Sequence, residues 1–422
     1  MQETCRWNHR AAGRWIGWVV ASGLLFAPLN ARGGDWPQIL GPNRTGVAVD
    51  EALVDAFPRG GPKTLWSQEI GEGFAGVAIS QGSGVLFHRR GNQEIAWCFD
   101  AATGKQRWER PFPATFSGGY SKDTGPRCVP LIHQDAVYLF GAAGDLHCLR
   151  MKDGEVNWSR RLYKEVKGAE GFFGAGSAPI VDGDLLLINA GGAKGAGLMG
   201  LGLADGKTVW SVSDEQASYS APAAAQVGGV RQVIFVTRLN CVSVDPKTGK
   251  EFWRFPFGDR GPTVNAATPV VVNGHVFVSA SYGIGARLAK IGASSAEEVW
   301  SNNETMSSQY TTCVLHEGLL YGTDGRADQG GARLRCFDPM TGKVRWTEEG
   351  FGVAHAILAD KKLVLWKDDG TLVLAKATSE GYEELGSHPI FKSTSRALPA
   401  LSNGRLYLHD SKRLVCVDLR RP

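Results

Sequence analysis

The chain has 422 residues, 43% of them hydrophobic and 21% charged, and a net charge of +4 from 46 basic and 42 acidic side chains. This composition excludes a disordered or collagen-like chain, and without a long basic run the near-neutral balance excludes a nucleic-acid binder working through a basic stripe. Glycine, at 55 residues beside 13 tryptophans, stands well above the roughly 7% of an average protein and points to many turns between short packed strands.

Residues 1–31 read as a signal peptide. Arg6, Arg10 and Arg14 precede an apolar run over 15–29, and Leu29-Asn30-Ala31 offers a small-residue exit. The run is shorter than the ~20 residues that span a bilayer; the alternative is an uncleaved N-terminal anchor. No cysteine follows it to carry a lipid, and no later apolar run is long enough to span a membrane. Removal of this segment takes away Arg6, Arg10, Arg14 and Glu3 and leaves a charge of +2. Residues 32–60 read as an N-terminal extension.

A repeat fills residues 61–422. Asp100 to Trp108, Asp245 to Trp253 and Asp338 to Trp346 share the pattern D-x-x-x-G-x-x-x-W. Gly154 with Trp158 and Gly206 with Trp210 keep its second half, and Trp66 and Trp300 keep the tryptophan. The mean spacing of these seven tryptophans is about 47 residues, within the range of propeller repeats. Each period holds three apolar runs separated by turns, then the glycine turn and the tryptophan strand, as in a four-stranded blade.

Eight turns between first and second strands fall at Gln81-Gly82-Ser83-Gly84, Gln134-Asp135, Asp182-Gly183-Asp184, Val227-Gly228-Gly229, Asn273-Gly274, Glu317-Gly318, Asp360-Lys361-Lys362 and Asn403-Gly404. The seventh blade has Leu385 where its tryptophan is expected. The eighth, ending at Val415 to Leu419, lacks a fourth strand, which the orphan Thr64-Leu65-Trp66-Ser67-Gln68 can supply. The expectation is an all-β fold: an eight-bladed β-propeller of four-stranded antiparallel blades, closed by an N-terminal strand that removes two open sheet edges. An open solenoid of the same repeats is the alternative. Trp66, Trp108, Trp158, Trp210, Trp253, Trp300 and Trp346 are read as structural locks between blades, their N–H groups bonded to backbone.

These units resemble the tryptophan-docking repeats of PQQ-like β-propellers. The segment Asp35-Trp36-Pro37-Gln38-Ile39-Leu40-Gly41-Pro42-Asn43-Arg44-Thr45-Gly46 is similar to the leader of exported PQQ-binding-like β-propeller repeat proteins. The resemblance covers nearly the whole chain from Asp35 and speaks for fold more than for chemistry. It implies one of two classes: quinoprotein dehydrogenases that oxidise alcohols or sugars with PQQ and calcium, or BamB-type propellers that bind no quinone. The chain lacks the adjacent cysteine pair and the Cys-x-x-Cys-His of the first class, and the lipid-attachment cysteine of the second.

Segments leading into the innermost strands face the channel mouth. They contain Phe74, Arg127, Phe172, Phe173, Tyr219, Ser220, Asn265, Gln309, Tyr310, His355 and Arg396. Arginines and aromatics in such a ring are able to hold a flat anion; a water-filled polar channel explains them equally. Asp123, Glu170, Asp214, Glu215 and Asp259 are the carboxylates near the mouth, and their clustering there is what a calcium-dependent quinone site requires. Cys98, Cys148, Cys241, Cys336 and Cys416 read as equivalent, buried third-strand residues too far apart for disulfides. The histidines do not cluster, so no metal site is expected. Gly195-Ala-Gly197-Leu-Met-Gly200 matches G-x-G-x-x-G but leads into a strand, not a helix, and reads as a loop.

The expected function is an exported, non-catalytic binding or scaffold module, a monomer in the periplasm or outside the cell, with an envelope protein or small ligand as partner. No cofactor, metal or nucleic acid is expected. Two long loops, 111–120 and 163–173, have room for recognition. The alternative is the PQQ- and calcium-dependent dehydrogenase.

Overall fold

The computed structural model describes residues 1–2 and 34–421. The apolar run read as a signal peptide lies outside the described residues. Residues 33–422 form one compact unit, and among the described residues no helix is long and apolar enough to cross a membrane.

Eight four-stranded antiparallel sheets make an eight-bladed β-propeller. Blades 1 to 7 span 78–113, 131–160, 180–212, 223–256, 270–302, 314–348 and 354–389. Blade 8 takes three strands from 400–418 and its outer strand, Thr64–Glu69, from the other end of the chain. Trp66 there pairs with Cys416, so the ring closes through main-chain bonds between the two chain ends.

Burial explains the sequence pattern of each blade. The middle strands are covered on both faces by neighbouring blades and are mostly apolar, as in Leu185–Asn189 and Val230–Val236, where Asn189 and Gln232 are the buried polar residues. The outer strands alternate; in Val156–Arg160 only Trp158 is buried. The core is therefore a series of layers between blades rather than one central mass. One such layer joins Tyr138, Phe140 and Leu146 of blade 2 to Leu186, Ile188 and Leu201 of blade 3.

The repeat motif builds the lock between layers. In D-x-x-x-G the aspartate caps its own turn: Asp100 Oδ1 accepts bonds from the Ala102 and Thr103 amides. Gly104 follows with φ of +70°, and a Cβ there would lie 2.8 Å from the Trp66 ring of the preceding blade. Gly154, Gly206 and Gly249 meet Trp108, Trp158 and Trp210 in the same way, so the glycine is needed for closeness as well as for φ. Six indole N–H groups donate to a carbonyl of the next blade, for example Trp108 to Met151 at 2.9 Å and Trp210 to Pro246 at 2.9 Å. Trp253 differs. Its N–H bonds Gln232 Oε1 at 2.9 Å, and Gln232 Nε2 donates to the Gly292 carbonyl of blade 5 at 2.8 Å. The turn that follows in blade 5, Gly292-Ala-Ser-Ser, lacks the repeat motif, and the buried amide bridges the gap.

Two sequence expectations shift by register. The seventh lock position is Gly386, which pairs with Leu374 as Trp346 pairs with Cys336, and not Leu385. Phe57 of the extension packs onto Gly386, where a Cβ would sit 2.7 Å from the ring. An aromatic ring from outside the blade thus fills the missing indole's place. Phe57→Ala is expected to lower stability by about 1–3 kcal/mol, as for a partly buried ring, read as a shift in urea midpoint with unchanged m-value. The second shift concerns Cys241. Cys98, Cys148, Cys336 and Cys416 each stand opposite a lock tryptophan, but Cys241 pairs with Phe255, two residues away from the equivalent position. All seven described cysteines are buried and free.

The extension plugs the ring. Trp36 pairs with Ile79 of blade 1, the Ile132 amide bonds the Pro37 carbonyl, and Val47 runs beside Leu358 of blade 7. Arg44 is buried, donates to the Ala178 and Pro179 carbonyls at 3.0 and 2.8 Å, and burial pulls its pKa down to about 9. The segment that carried the family resemblance is thus a cross-channel strut, bonded to innermost strands of blades 1, 2 and 7 and to the approach to blade 3.

Candidate functional site

With the strut across one end, the channel becomes a blind cup. Ile39 of the strut lines it together with Phe74, Arg127, Phe173, Tyr219, Gln309, Tyr310, His355 and Arg396. The cup holds about 960 Å³ of atom-free space, part of it open to solvent. Eight of the eleven residues singled out from sequence therefore converge here, from seven blades and their approaches. Phe172, Ser220 and Asn265 do not line it. Phe172 lines, with Tyr120, an adjoining space that shares Phe173, Tyr282, Gln309 and Arg396 with the cup. Asn265 is buried behind the wall, where its amide donates to the carbonyls of Thr237, Arg238 and Phe257.

The two arginines differ in their surroundings. Arg127 is clamped: its guanidinium meets Asp123 Oδ1 at 2.6 Å and the Gly125 carbonyl at 2.9 Å, and it lies 4.6 Å over the Phe74 ring. Asp123 also accepts from the Gly73 amide and the Ser411 hydroxyl. It ties the approaches of blades 1 and 2 to a hairpin of blade 8 and has little left for a ligand. Arg396 forms no ion pair among the described residues, and its Nε is buried without a hydrogen-bond partner. Its guanidinium lies 5.8 Å from the Tyr310 ring. His355 donates from Nε2 to the Arg396 carbonyl at 3.0 Å, and burial pulls its pKa down to about 4, so it is neutral at pH 7. Behind Tyr310, whose hydroxyl reaches Asp368 at 3.5 Å, burial raises the Asp368 carboxyl.

Sequence reasoning missed Tyr282. It lies in the turn between the second and third strands of blade 5, not in an approach to an innermost strand. It is held at φ of +67°, an uncommon conformation for a bulky residue, with Arg326 stacked 4.2 Å over its ring and Gln309 Nε2 3.2 Å from its hydroxyl. A tyrosine before Gly283 in an otherwise small-residue turn was the available signal.

The other mouth carboxylates point elsewhere. Glu170, Asp214 and Asp259 are exposed, Asp214 accepts the Gly195 amide, and Glu215 is held by Thr237, Asn240 and Arg254. Among the described residues no carboxylate lines the cup, and no three His, Cys, Asp or Glu side chains are grouped to hold a metal ion. A hard cation needs several oxygen ligands with carboxylates favoured, so the residues present do not fit calcium-bound PQQ.

Above the cup lies an aromatic rim. Tyr120 is 76% exposed and packs edge-on against Phe172 at 5.0 Å, and Phe173 continues the contact to Tyr219. The two loops differ from expectation in detail. The first blade's outer strand runs on through Pro113, and the second loop opens with a one-turn helix, Leu162–Val166, whose Leu162 and Tyr163 are buried.

A closed ring of eight blades, seven of them carrying a lock tryptophan, defines a PQQ-like propeller. The family model described as outer membrane protein assembly factor BamB matches residues 50–139 and 119–348, and the chain belongs to that family. The outer membrane protein assembly factor BamB of Burkholderia pseudomallei (strain K96243) is 24% identical over 291 residues, 68% of this chain and 71% of that protein. Among solved structures, BamB from Moraxella catarrhalis superposes with a TM-score of 0.62 at 15% identity, covering 85% of this chain and 98% of that one. A europium-containing methanol dehydrogenase gives 0.68 at 11% identity, covering 92% and 90%. At such identities the structural likenesses speak for the fold alone.

Proposed function

We propose that the protein is an exported, non-catalytic propeller that docks a protein partner on its channel-mouth face and serves outer-membrane protein assembly at the cell envelope. The observation that carries this reading is the rim: an exposed tyrosine braced by Phe172 and Phe173, on two loops longer than the fold needs. Rigid aromatics on a firm scaffold are the usual anchors of protein interfaces. The relatives, outer membrane protein assembly factors, suggest the assembly role, and the apolar N-terminal run supports export. The dehydrogenase reading loses its support because the mouth carboxylates do not gather at the cup.

Affinity capture from a bacterial envelope extract tests the reading. The full chain is expected to recover a component of the outer-membrane protein assembly machinery, identified by mass spectrometry. Tyr120→Ala with Phe172→Ala is expected to reduce that recovery at least tenfold, about 1.4 kcal/mol or more, while leaving the thermal transition in place. Equal recovery by both proteins, or recovery of no such component, would overturn it.

A further inference from the structure

Beneath the docking rim, the cup has a chemistry of its own that the docking reading does not use. Neither Tyr120 nor Phe172 lines it. Its floor is Ile39, and its walls include Phe173, Tyr282 and Tyr310, contributed by separate blades. Among its charged groups, Arg127 is neutralised by Asp123, His355 is kept neutral by burial, and no carboxylate lines the wall. Arg326, at the upper edge, is paired with Asp328. Arg396 is left as the cation lining the cup outside an ion pair, its charge felt by the Asp368 carboxyl behind Tyr310.

We propose that the cup binds a small aromatic monocarboxylate, its carboxylate on Arg396 and its ring against the aromatic wall. A planar guanidinium suits a carboxylate through two parallel bonds. Ring-lined concave sites with a few directed polar groups are the common form of small-molecule pockets. One free cation selects one negative charge, so a compact monoanion fits better than a tricarboxylate quinone. The unusual φ of Tyr282, fixed by Gln309 and Arg326, positions a ring at the cup wall and agrees with a shaped site, since such conformations persist where surrounding structure holds them.

Isothermal titration of the full chain with phenylacetate tests this, with phenylacetamide, acetate and PQQ as comparison probes. Phenylacetate is expected to bind with a dissociation constant of roughly millimolar or tighter. Phenylacetamide is expected to bind about tenfold more weakly for want of the charge-assisted bond, and acetate more weakly still. Arg396→Gln is expected to bring the acid and the amide to similar affinity. If that variant does not fold, the acid–amide comparison on the native chain still decides. Equal binding of acid and amide, no binding of phenylacetate at about ten times the expected constant, or tighter binding of PQQ than of phenylacetate would overturn the proposal. These outcomes are independent of envelope capture, so failure of either reading leaves the other standing or falling on its own data.

Discussion

Replacing Gln232 with leucine is expected to lower unfolding stability by about 3–5 kcal/mol, since each buried polar group left unpaired costs roughly 1–3 kcal/mol. Gln232 is completely buried and serves three groups at once: the Trp253 indole, the Ser243 hydroxyl at 2.8 Å and the Gly292 carbonyl. Leucine has a similar size but returns none of these bonds. The loss is larger than that expected for Trp108→Phe, which keeps a ring over Gly154 and gives up one bond to a carbonyl, at about 1–2 kcal/mol plus some packing. Urea unfolding of the two variants orders them. A Gln232→Leu protein as stable as the parent would mean that blade 4 is tied to blade 5 without the amide relay.

The second large effect is acid lability above the range of ordinary carboxylates. His88, His147, His355 and His409 are buried. Burial depresses the first three to about 3, 4 and 4, and lowers His409 as well. Half-buried His133 shifts in the same direction. A histidine unprotonated in the native state and titrating near 6.5 when unfolded gives the unfolded chain more bound protons between those values, so stability falls as the pH drops through about 6.5. Glu94 opposes this. Burial raises its carboxyl to about 7, despite the bond it accepts from the Ala142 amide. It favours the native state as pH falls from about 7 towards its unfolded value. Against His88, His147 and His355 stand Glu94 and the raised Glu51, Asp145, Glu170 and Asp368 carboxyls, so the net expectation is a loss of about 2 kcal/mol between about pH 7.5 and about pH 5.5. Urea midpoints across that interval check the sign. His409 is left out of this sum and is not a clean control, because both its ring nitrogens face carbonyl oxygens, at 2.9 and 2.6 Å, and a neutral ring has only one N–H to donate. His147→Gln is the better one and is expected to flatten the slope by about one proton.

How far the residues announced this structure follows from where each signal lies. The blades were legible because each is encoded locally: a run of apolar residues covered on both faces, a hairpin dipeptide, and an aspartate-capped glycine turn before an indole. Ring closure was legible because one blade lacked a strand and one strand lacked a blade. What stayed hidden depends on contacts between distant segments. Phe57 replaces a tryptophan of blade 7 from outside the blade, Gln232 replaces a turn of blade 5 from within blade 4, and the segment from Asp35 crosses the channel with Arg44 at its far end. None has a local pattern to read. At the cup, residues placed before innermost strands were found because the fold fixes where those approaches lie. Tyr282 was not, because it comes from a hairpin that the same logic assigns to the outside. Asn265 met the positional rule but turned inward to satisfy three backbone carbonyls.

The rim assignment also explains why the family fold is informative without deciding the chemistry. The same propeller supports the dehydrogenases that superpose on it, yet the cup here presents aromatic walls and one free arginine where a calcium site would need carboxylates. The distinction lies in the side chains around the mouth and in none of the locks.

Site-specific photo-crosslinking in intact cells tests the central claim most directly. A photoreactive residue placed at Tyr120, on the mouth face, is compared with one at Asp135, exposed in the first hairpin of blade 2. The account predicts a discrete adduct with an outer-membrane assembly component from position 120 and none from position 135. Adducts from position 135 alone, or no adduct from position 120 in cells where the protein is folded and exported, would contradict it.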